Sequence, residues 1–311
     1  MLSVVLATRD RAGRLRRTLD ALLRLEQPRE GWHLVAVDNG SRDATSAVLA
    51  DYRARLPMTV VHEPRPGRSA ALNAAILDIR GDHVLFLDDD IEPQPDWLTR
   101  HAAAAASAPD YAVFGGRIVP QWEAEPPRWI RDWADLALCY GAHADLADGP
   151  CPFYLVFGGN MAMRAEVFRR GLRFDPVYGP NGGRNYVIGC ETDFVRRAEH
   201  MGFRPWHCRT AVARHFVPKA HLRWRWVLDR ARNFGRSQYR MDGPAFRALR
   251  AASDAETAAR LRAAIAEQRR KAWRAVLAGD AEARFRACWQ MSFLAGLALE
   301  HAAATRRGAR T

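Results

Sequence analysis

The sharpest chemical feature of the sequence is Leu85-Phe86-Leu87-Asp88-Asp89-Asp90, an apolar run that ends directly in three carboxylates before Ile91-Glu92-Pro93. Adjacent carboxylates repel, and burying them is costly unless a cation or hydrogen-bond donors compensate. A divalent metal is the simplest compensation, since Mg2+ uses one or two carboxylates plus substrate phosphates and Mn2+ accepts the same donors. Side chains alternate along an extended segment, so Asp88 and Asp90 are expected to point one way and Asp89 the other. The competing reading is a polar turn that opens a helix near Asp96. A second run, Val35-Ala36-Val37-Asp38-Asn39-Gly40-Ser41, ends in the same manner. Asp38 stands where an acceptor for a base N–H or a ribose hydroxyl is useful; equally, Asn39-Gly40 forms a turn and Ser41 caps the next helix. Thr8, Arg9 and Asp10 close the first apolar run and read as site or as loop.

The elements that must position these residues follow from periodicity. Leu2–Leu6, His33–Val37, Met58–Val61 and His83–Leu87 are short β-rich runs, separated by stretches with helical spacing: Leu15, Leu19, Leu22 and Leu23, then residues 42–55, then Ser69–Ile79. A β-α-β-α-β-α-β order argues for a mostly parallel sheet with helices on both faces, and ligands gather at the carboxyl ends of such strands. Residues 120–152, with Trp122, Trp129, Trp133 and five prolines, read as an irregular insertion. Its tryptophans suit stacking on sugar rings or fastening the insertion to the core. Beyond Pro218 the pattern is helical, over 221–240, about 244–278 and 281–302. In the last, Phe285, Trp289, Phe293 and Leu297 recur every fourth residue as a core stripe.

Composition narrows the class. A chain of 311 residues that is 48% hydrophobic and 26% charged can build a sizeable core and is not a disordered tail. No apolar run approaches the roughly 18 residues of a bilayer span, and the first apolar stretch is too short for a secretory signal, so a cytoplasmic location is expected. Five cysteines without a C-x-x-C pair read as reduced thiols. The net charge of +12 is uneven. Residues 1–195 hold 22 Lys and Arg against 26 Asp and Glu, whereas residues 196–311 hold 25 against 9. Such a basic end suits an anionic partner, including an anionic membrane surface, or else places Arg on solvated helix faces. No G-x-G-x-x-G follows the first strand and no Walker-A loop is present, which disfavours dinucleotide enzymes and P-loop NTPases.

Taken together, VVLATRDR, VDNGS, the stretch Pro66-Gly67-Arg68-Ser69-Ala70-Ala71-Leu72-Asn73 and the LDDD motif resemble family-2 glycosyltransferases of the GT-A fold. So do Gly158-Gly159-Asn160 with Met163-Arg164, and Gly189-Cys190-Glu191-Thr192-Asp193-Phe194 with Arg197. The resemblance spans about residues 1–240 in the right order. It implies that Thr8 and Asp38 hold the nucleoside, that Arg68 helps to hold the nucleotide, and that Asp89 lies near the sugar. Asp88 would approach ribose and metal, and Asp90 would coordinate the metal that bridges the diphosphate. His215 occupies a position where similar transferases place a metal or diphosphate ligand. The acid that supplies the catalytic base aligns with Glu191, with Asp193 in reserve, although Cys190 and a glutamate stand where the family more often has acids and an aspartate. Without the resemblance, Glu191 and Asp193 read equally as acids at a helix start. Gly158-Gly159 reads as a close approach to the donor or as a bend.

The expectation is therefore an α/β GT-A enzyme. Residues 1–115 would form a nucleotide-sugar-binding half, 116–220 an acceptor and catalytic half, and 221–311 a basic helical extension. The expected reaction is metal-dependent, inverting transfer of a sugar from a nucleotide-diphosphate sugar to a hydroxyl of a glycan, glycolipid or other acceptor, with Mn2+ or Mg2+ as cofactor, in polysaccharide or glycolipid assembly. Peripheral contact with the inner membrane face fits the basic end, and no nucleic-acid partner is expected. A sugar-phosphate nucleotidyltransferase is the rival enzyme, but Thr8–Arg14 has one glycine and no lysine where a phosphate loop would lie. A basic nucleic-acid module is the rival of another class and needs no acids at strand ends. Asp90→Ala is expected to abolish metal-dependent turnover in a donor-hydrolysis and transfer assay; full activity in that variant refutes a metal role for Asp90.

Overall fold

Strands that are apolar on both faces need helices on both sides of their sheet. In the computed structural model, which describes residues 1–143, 145–181 and 186–308, β1 (Leu2–Thr8) and β2 (Trp32–Asp38) are buried almost end to end. Between them runs α1 (Ala12–Leu22), followed by α2 (Thr45–Tyr52), β3 (Met58–His62), α3 (Arg68–Ala75) and β4 (His83–Asp88). The chain continues through β5 (Ile91–Pro93), α4 (Trp97–Ser107), β6 (Val113–Trp122), α5 (Arg128–Trp133), α6 (Leu136–Tyr140), β7 (Gly149–Pro150), β8 (Asn160–Arg164) and α7 (Glu166–Arg169). It ends with α8 (Cys190–His200), β9 (Pro205–Val217), α9 (Trp224–Arg240), α10 (Pro244–Arg247), α11 (Asp254–Leu277) and α12 (Ala281–Gly308).

The described strands form one sheet in the order β3-β2-β1-β4-β8-β6-β9-β5, with β7 beside β9. The first four are parallel, as the β-α repeat requires, and β8 joins β4 antiparallel. Period-two alternation divides β1 between two cores. Leu2, Val4 and Leu6 pack with Leu15 and Leu19 of α1 and Val48 of α2. Val5 packs on the other side with Leu72 of α3 and Phe194 of α8. The register sets Thr8 beside Asp38 and Ala7 beside Asp88. Strand order reverses direction at β1, so the polar ends of β1, β2 and β4 meet at a topological switch point.

The chain divides into two compact units: Met1–Gln121, Tyr140–Gly182 and Cys190–Val217 in the first; Trp122–Cys139, Gly183–Gly189 and Pro218–Thr311 in the second. Within the second unit, the segment expected to be irregular carries α5, and its tryptophans fasten it to helices. Trp129 lies 5.4 Å from Trp224 and 5.6 Å from Phe285, and Trp133 lies 6.1 Å from Phe285, centroid to centroid. Of the expected stripe, Phe293 and Leu297 pack with Ala231 and Leu261, with Trp289 at the edge.

Two local expectations change. The single helix expected over 244–278 is broken into α10 and α11, because Ser253 caps the latter by accepting from the Glu256 amide at 3.2 Å. Ser41 does not cap α2: its hydroxyl accepts from the Asp10 amide at 3.1 Å, and the Asp43 carboxylate takes the Thr45 amide at 2.9 Å.

In the helical unit, α9 and α12 cross with bare backbone at the contact. A Cβ on Gly235 would fall 2.0 Å from the Phe293 carbonyl oxygen, and one on Gly296 2.0 Å from that of Arg232. Glu300, itself buried, bridges the same helices by pairing with Arg236 at 2.6 Å and Arg240 at 2.9 Å. Because the obstacle to a methyl group is backbone, Gly235→Ala must separate the helices. It is expected to cost about 1–3 kcal/mol or more. Hydrogen exchange checks this: α9 and α12 amides should lose protection, and unchanged protection there contradicts the close crossing.

Candidate active site

The sheet register delivers three carboxylates to one edge, and cations answer each of them. Asp88 ends β4, and its Oδ1 accepts from Arg68 Nη2 at 2.6 Å and Nε at 3.2 Å. Asp89 and Asp90 form the turn to β5. Asp89 is buried, accepts from the Thr8 hydroxyl at 2.7 Å and faces Arg11 at 3.4 Å. Asp90 pairs with Arg11 at 2.8 Å and Arg14 at 3.6 Å. Asp89 and Asp90, which lie in the turn beyond the end of β4, share Arg11. Burial pushes the Asp89 carboxyl up to about 7, with Asp90 and Asp88 reinforcing the shift against Arg11 and the Thr8 hydrogen bond. Desolvation of Arg11 is outweighed by Asp89 and Asp90, so its pKa is raised.

The second cluster centres on Arg68, the first residue of α3. The loop before it is held by Asn39, whose side chain donates to the carbonyls of Glu63 and Arg65 at 2.9 and 2.7 Å and accepts from the Gly67 amide at 2.8 Å. The Arg68 amide donates to the Pro180 carbonyl at 2.8 Å. So anchored, the guanidinium spans Asp88 on one side and Cys190 and Glu191 on the other, with Nη1 2.7 Å from Cys190 Sγ and 3.4 Å from Glu191 Oε2. The Cys190 thiol in turn donates to Glu191 Oε2 at 3.0 Å. Burial raises the Cys190 pKa beyond what Arg68 can offset, so the thiol stays protonated. Burial of Arg68 is outweighed by Asp88, Cys190 and Glu191, which raise its pKa.

Not every expected residue joins this edge. Asp193, on the same helix as Glu191, is buried and paired with Arg197 at 2.7 Å and Arg196 at 3.3 Å. Asp38 is 3% exposed and is engaged locally: it accepts from the Ser41 amide at 2.9 Å and from the Ser46 hydroxyl. Burial alone would raise its pKa, but the hydrogen bonds from Ser41 and Ser46 prevail and lower it.

His215 does reach the acid turn. Its Nδ1 lies 2.6 Å from the Tyr140 carbonyl, an acceptor only, which places a proton on Nδ1 and turns Nε2 away from that carbonyl. Nε2 lies 3.8 Å from Asp90 Oδ1. A carbonyl that fixes the tautomer of an imidazole beside a carboxylate is the usual support of a metal ligand. Asp90 and His215 are donor types that Mn2+ and Mg2+ accept, and either ion needs few protein ligands when substrate phosphates supply the rest. Among the described residues no group of three or more His, Cys, Asp or Glu is placed to hold a metal ion.

Reading the sequence alone missed Arg11 and Arg14. Both stand just after the first strand, but only the pairing of β1 with β4 brings them to Asp89 and Asp90. It also left Gly158-Gly159 open. A Cβ on Gly158 would lie 2.7 Å from Arg68 Nη2, and one on Gly159 3.3 Å from Asp88 Oδ2, so these glycines make room for the Arg68–Asp88 pair.

Comparison with known proteins agrees with the geometry. The profile described as "Glycosyl transferase family 2" matches residues 3–172. The glucosyl-dolichyl phosphate glucuronosyltransferase of Haloferax volcanii is 24% identical over 70% of this chain and 70% of its own. The succinoglycan biosynthesis protein ExoM of Rhizobium meliloti is 28% identical over 85% of this chain and 76% of its own. Among solved structures, the mannosyltransferase PcManGT from Pyrobaculum calidifontis, in complex with GDP-Man and Mn2+, superposes with a TM-score of 0.61 at 22% identity, covering 96% of this chain and 86% of that one. The fold is GT-A.

Gly158→Ala should displace the Arg68 guanidinium from Asp88 while leaving the core intact. Sugar transfer is expected to fall about ten- to a hundred-fold, because small misplacements of polar groups at a reacting centre have that scale of effect. Melting temperature and transfer rate, measured on the same preparation, separate this outcome from general destabilisation; an unchanged rate contradicts it.

Proposed function

The chain belongs to glycosyl transferase family 2, and on that premise we propose that it moves a sugar from a nucleoside-diphosphate donor to an acceptor hydroxyl, inverting the anomeric centre with the help of a divalent cation. One observation carries the reading: a single guanidinium, Arg68, touches both Asp88 of the acid turn and Glu191. It ties the end of the site suited to a diphosphate to the carboxylate suited to a base.

Glu191 is the base. Its carboxylate takes the proton of the acceptor hydroxyl as that oxygen attacks the anomeric carbon, and general-base help of this kind is worth about 10²–10⁴-fold. Arg68 and the protonated Cys190 orient it. Asp193, neutralised by Arg196 and Arg197, holds the helix start and leaves the base role to Glu191. Asp90 and His215, with the donor's phosphates, would hold Mn2+ or Mg2+, whose chemistry is to neutralise charge growing on the departing diphosphate. Arg11 and Arg14 add cationic charge at the same edge, where preorganised positive groups favour the leaving group. Thr8 and Asp38 stand at the strand ends that would receive the nucleoside, and Asp89, bonded to Thr8, would lie near the sugar. In this reading residues 1–115 serve as the donor half, 116–220 as the acceptor and catalytic half, and 221–311 as a basic helical extension.

The acceptor class is a glycan or glycolipid, as the names of the Haloferax and Rhizobium relatives suggest. No described helix is long and apolar enough to cross a membrane. The enzyme is proposed to act in the cytoplasm and at the inner membrane face.

Glu191→Gln is expected to lower transfer about 10²–10⁴-fold while leaving nucleoside-diphosphate-induced thermal stabilisation in Mn2+ unchanged. The wild-type product, examined by NMR, should carry the opposite anomeric configuration to the donor. Undiminished transfer by the variant removes Glu191 as base, and a retained configuration overturns the inverting mechanism.

A further inference from the structure

The C-terminal helices carry an apolar group that their own packing leaves unused. Near the end of α11, Trp273, Val276 and Leu277 are 65%, 46% and 84% exposed. On a helix these three, with Arg269 and Arg270, fall within about 120° of surface, apart from the face on which Leu261 and Ala275 are buried. Arg269 and Arg270 are exposed, and neither has an ion-pair partner among the described residues. On the neighbouring side, α11 and α12 enclose a groove of about 490 Å³ lined by Lys271, Arg274 and Arg286, with Asp280 the only acid in its lining. Glu267 answers Lys271 at 2.8 Å and Glu282 answers Arg286 at 2.6 Å, but Arg274 has no ion-pair partner among the described residues.

Apolar and cationic groups side by side restrict what can cover them. A second copy packed by two-fold symmetry would set Arg269 and Arg270 near their own counterparts, like charge against like. A nucleic acid would use the arginines and leave Val276 and Leu277 in water. An anionic bilayer answers both features: tryptophan and leucine enter the boundary between headgroups and acyl chains, while arginine and lysine meet lipid phosphates.

We propose that the tip of the α11–α12 hairpin, led by Trp273 and Leu277 and flanked by Arg269, Arg270 and the Lys271–Arg274 groove, docks the protein on an anionic phospholipid surface. The docking rests on the helical unit alone and stands or falls separately from the chemistry at Glu191.

Co-sedimentation of the full-length protein with phosphatidylcholine vesicles, with and without phosphatidylglycerol, tests it. The wild type should partition onto the anionic vesicles, more weakly in high salt, and hardly onto neutral ones. The double variant Trp273→Ser with Leu277→Ser should lower partitioning about ten-fold or more. Arg269→Gln with Arg270→Gln should remove most of the preference for anionic lipid. Both variants alter exposed side chains, so transfer to a water-soluble acceptor should remain at the wild-type rate, which also reports that they fold. A wild type that stays in the supernatant, or variants that sediment as it does, would overturn the proposal. So would a dimer in sedimentation velocity that the Trp273/Leu277 variant abolishes, or tighter binding to an oligonucleotide than to the vesicles.

Discussion

Mutual repulsion among Asp88, Asp89 and Asp90 is the constraint around which the first unit is arranged. The sheet drives three consecutive carboxylates to the end of a buried strand, where their charges would repel one another and loosen the turn. Arg11 and Arg14 from the segment after β1, Arg68 from the start of α3 and the Thr8 hydroxyl supply the compensation. Each comes from a different element, so the acid turn is held only when β1, α3 and β4 are assembled in register. Stability and site geometry rest on the same contacts.

Arg68 shows how such a side chain is kept in place. Asn39 fixes the loop ahead of it through hydrogen bonds to three backbone groups, and the glycine pair at 158 and 159 leaves the volume its guanidinium needs. Asn160, fully buried beside that pair, accepts from Trp97 and His101 and donates to the carbonyls of Arg117 and Ala211. Burial takes His101 down to about 4 despite that hydrogen bond, so the contact is made by a neutral imidazole. A network of this kind is rigid because each member would otherwise be a buried polar group without a partner.

The helical unit follows different rules. Its long helices approach through glycine, and a buried carboxylate between two arginines pins α9 to α12. Removing both arginines would strand a buried carboxylate, so the clamp favours the alignment in which Glu300 meets Arg236 and Arg240. Some of the basic charge, Arg269, Arg270 and Arg274 among it, stands on exposed faces.

Much was legible in the chain itself. Apolar runs ending in polar residues gave the four parallel strands and the three polar strand ends, because burial on both faces leaves a continuous signature. The acid turn, Arg68, Glu191 and His215 stood out by type and order. Long-range pairing was invisible: nothing in the order of residues says that Arg11 meets Asp90, that Arg68 joins Asp88 to Glu191, or that Asp193 is neutralised by its own helix. Alternation is a property of the extended strand alone, and β4 stops at Asp88, so Asp89 and Asp90 find their partners through the turn. Composition and periodicity are local quantities and settle which elements form. Which side chains become neighbours depends on strand register and helix crossing, and these exist only once the whole sheet has closed.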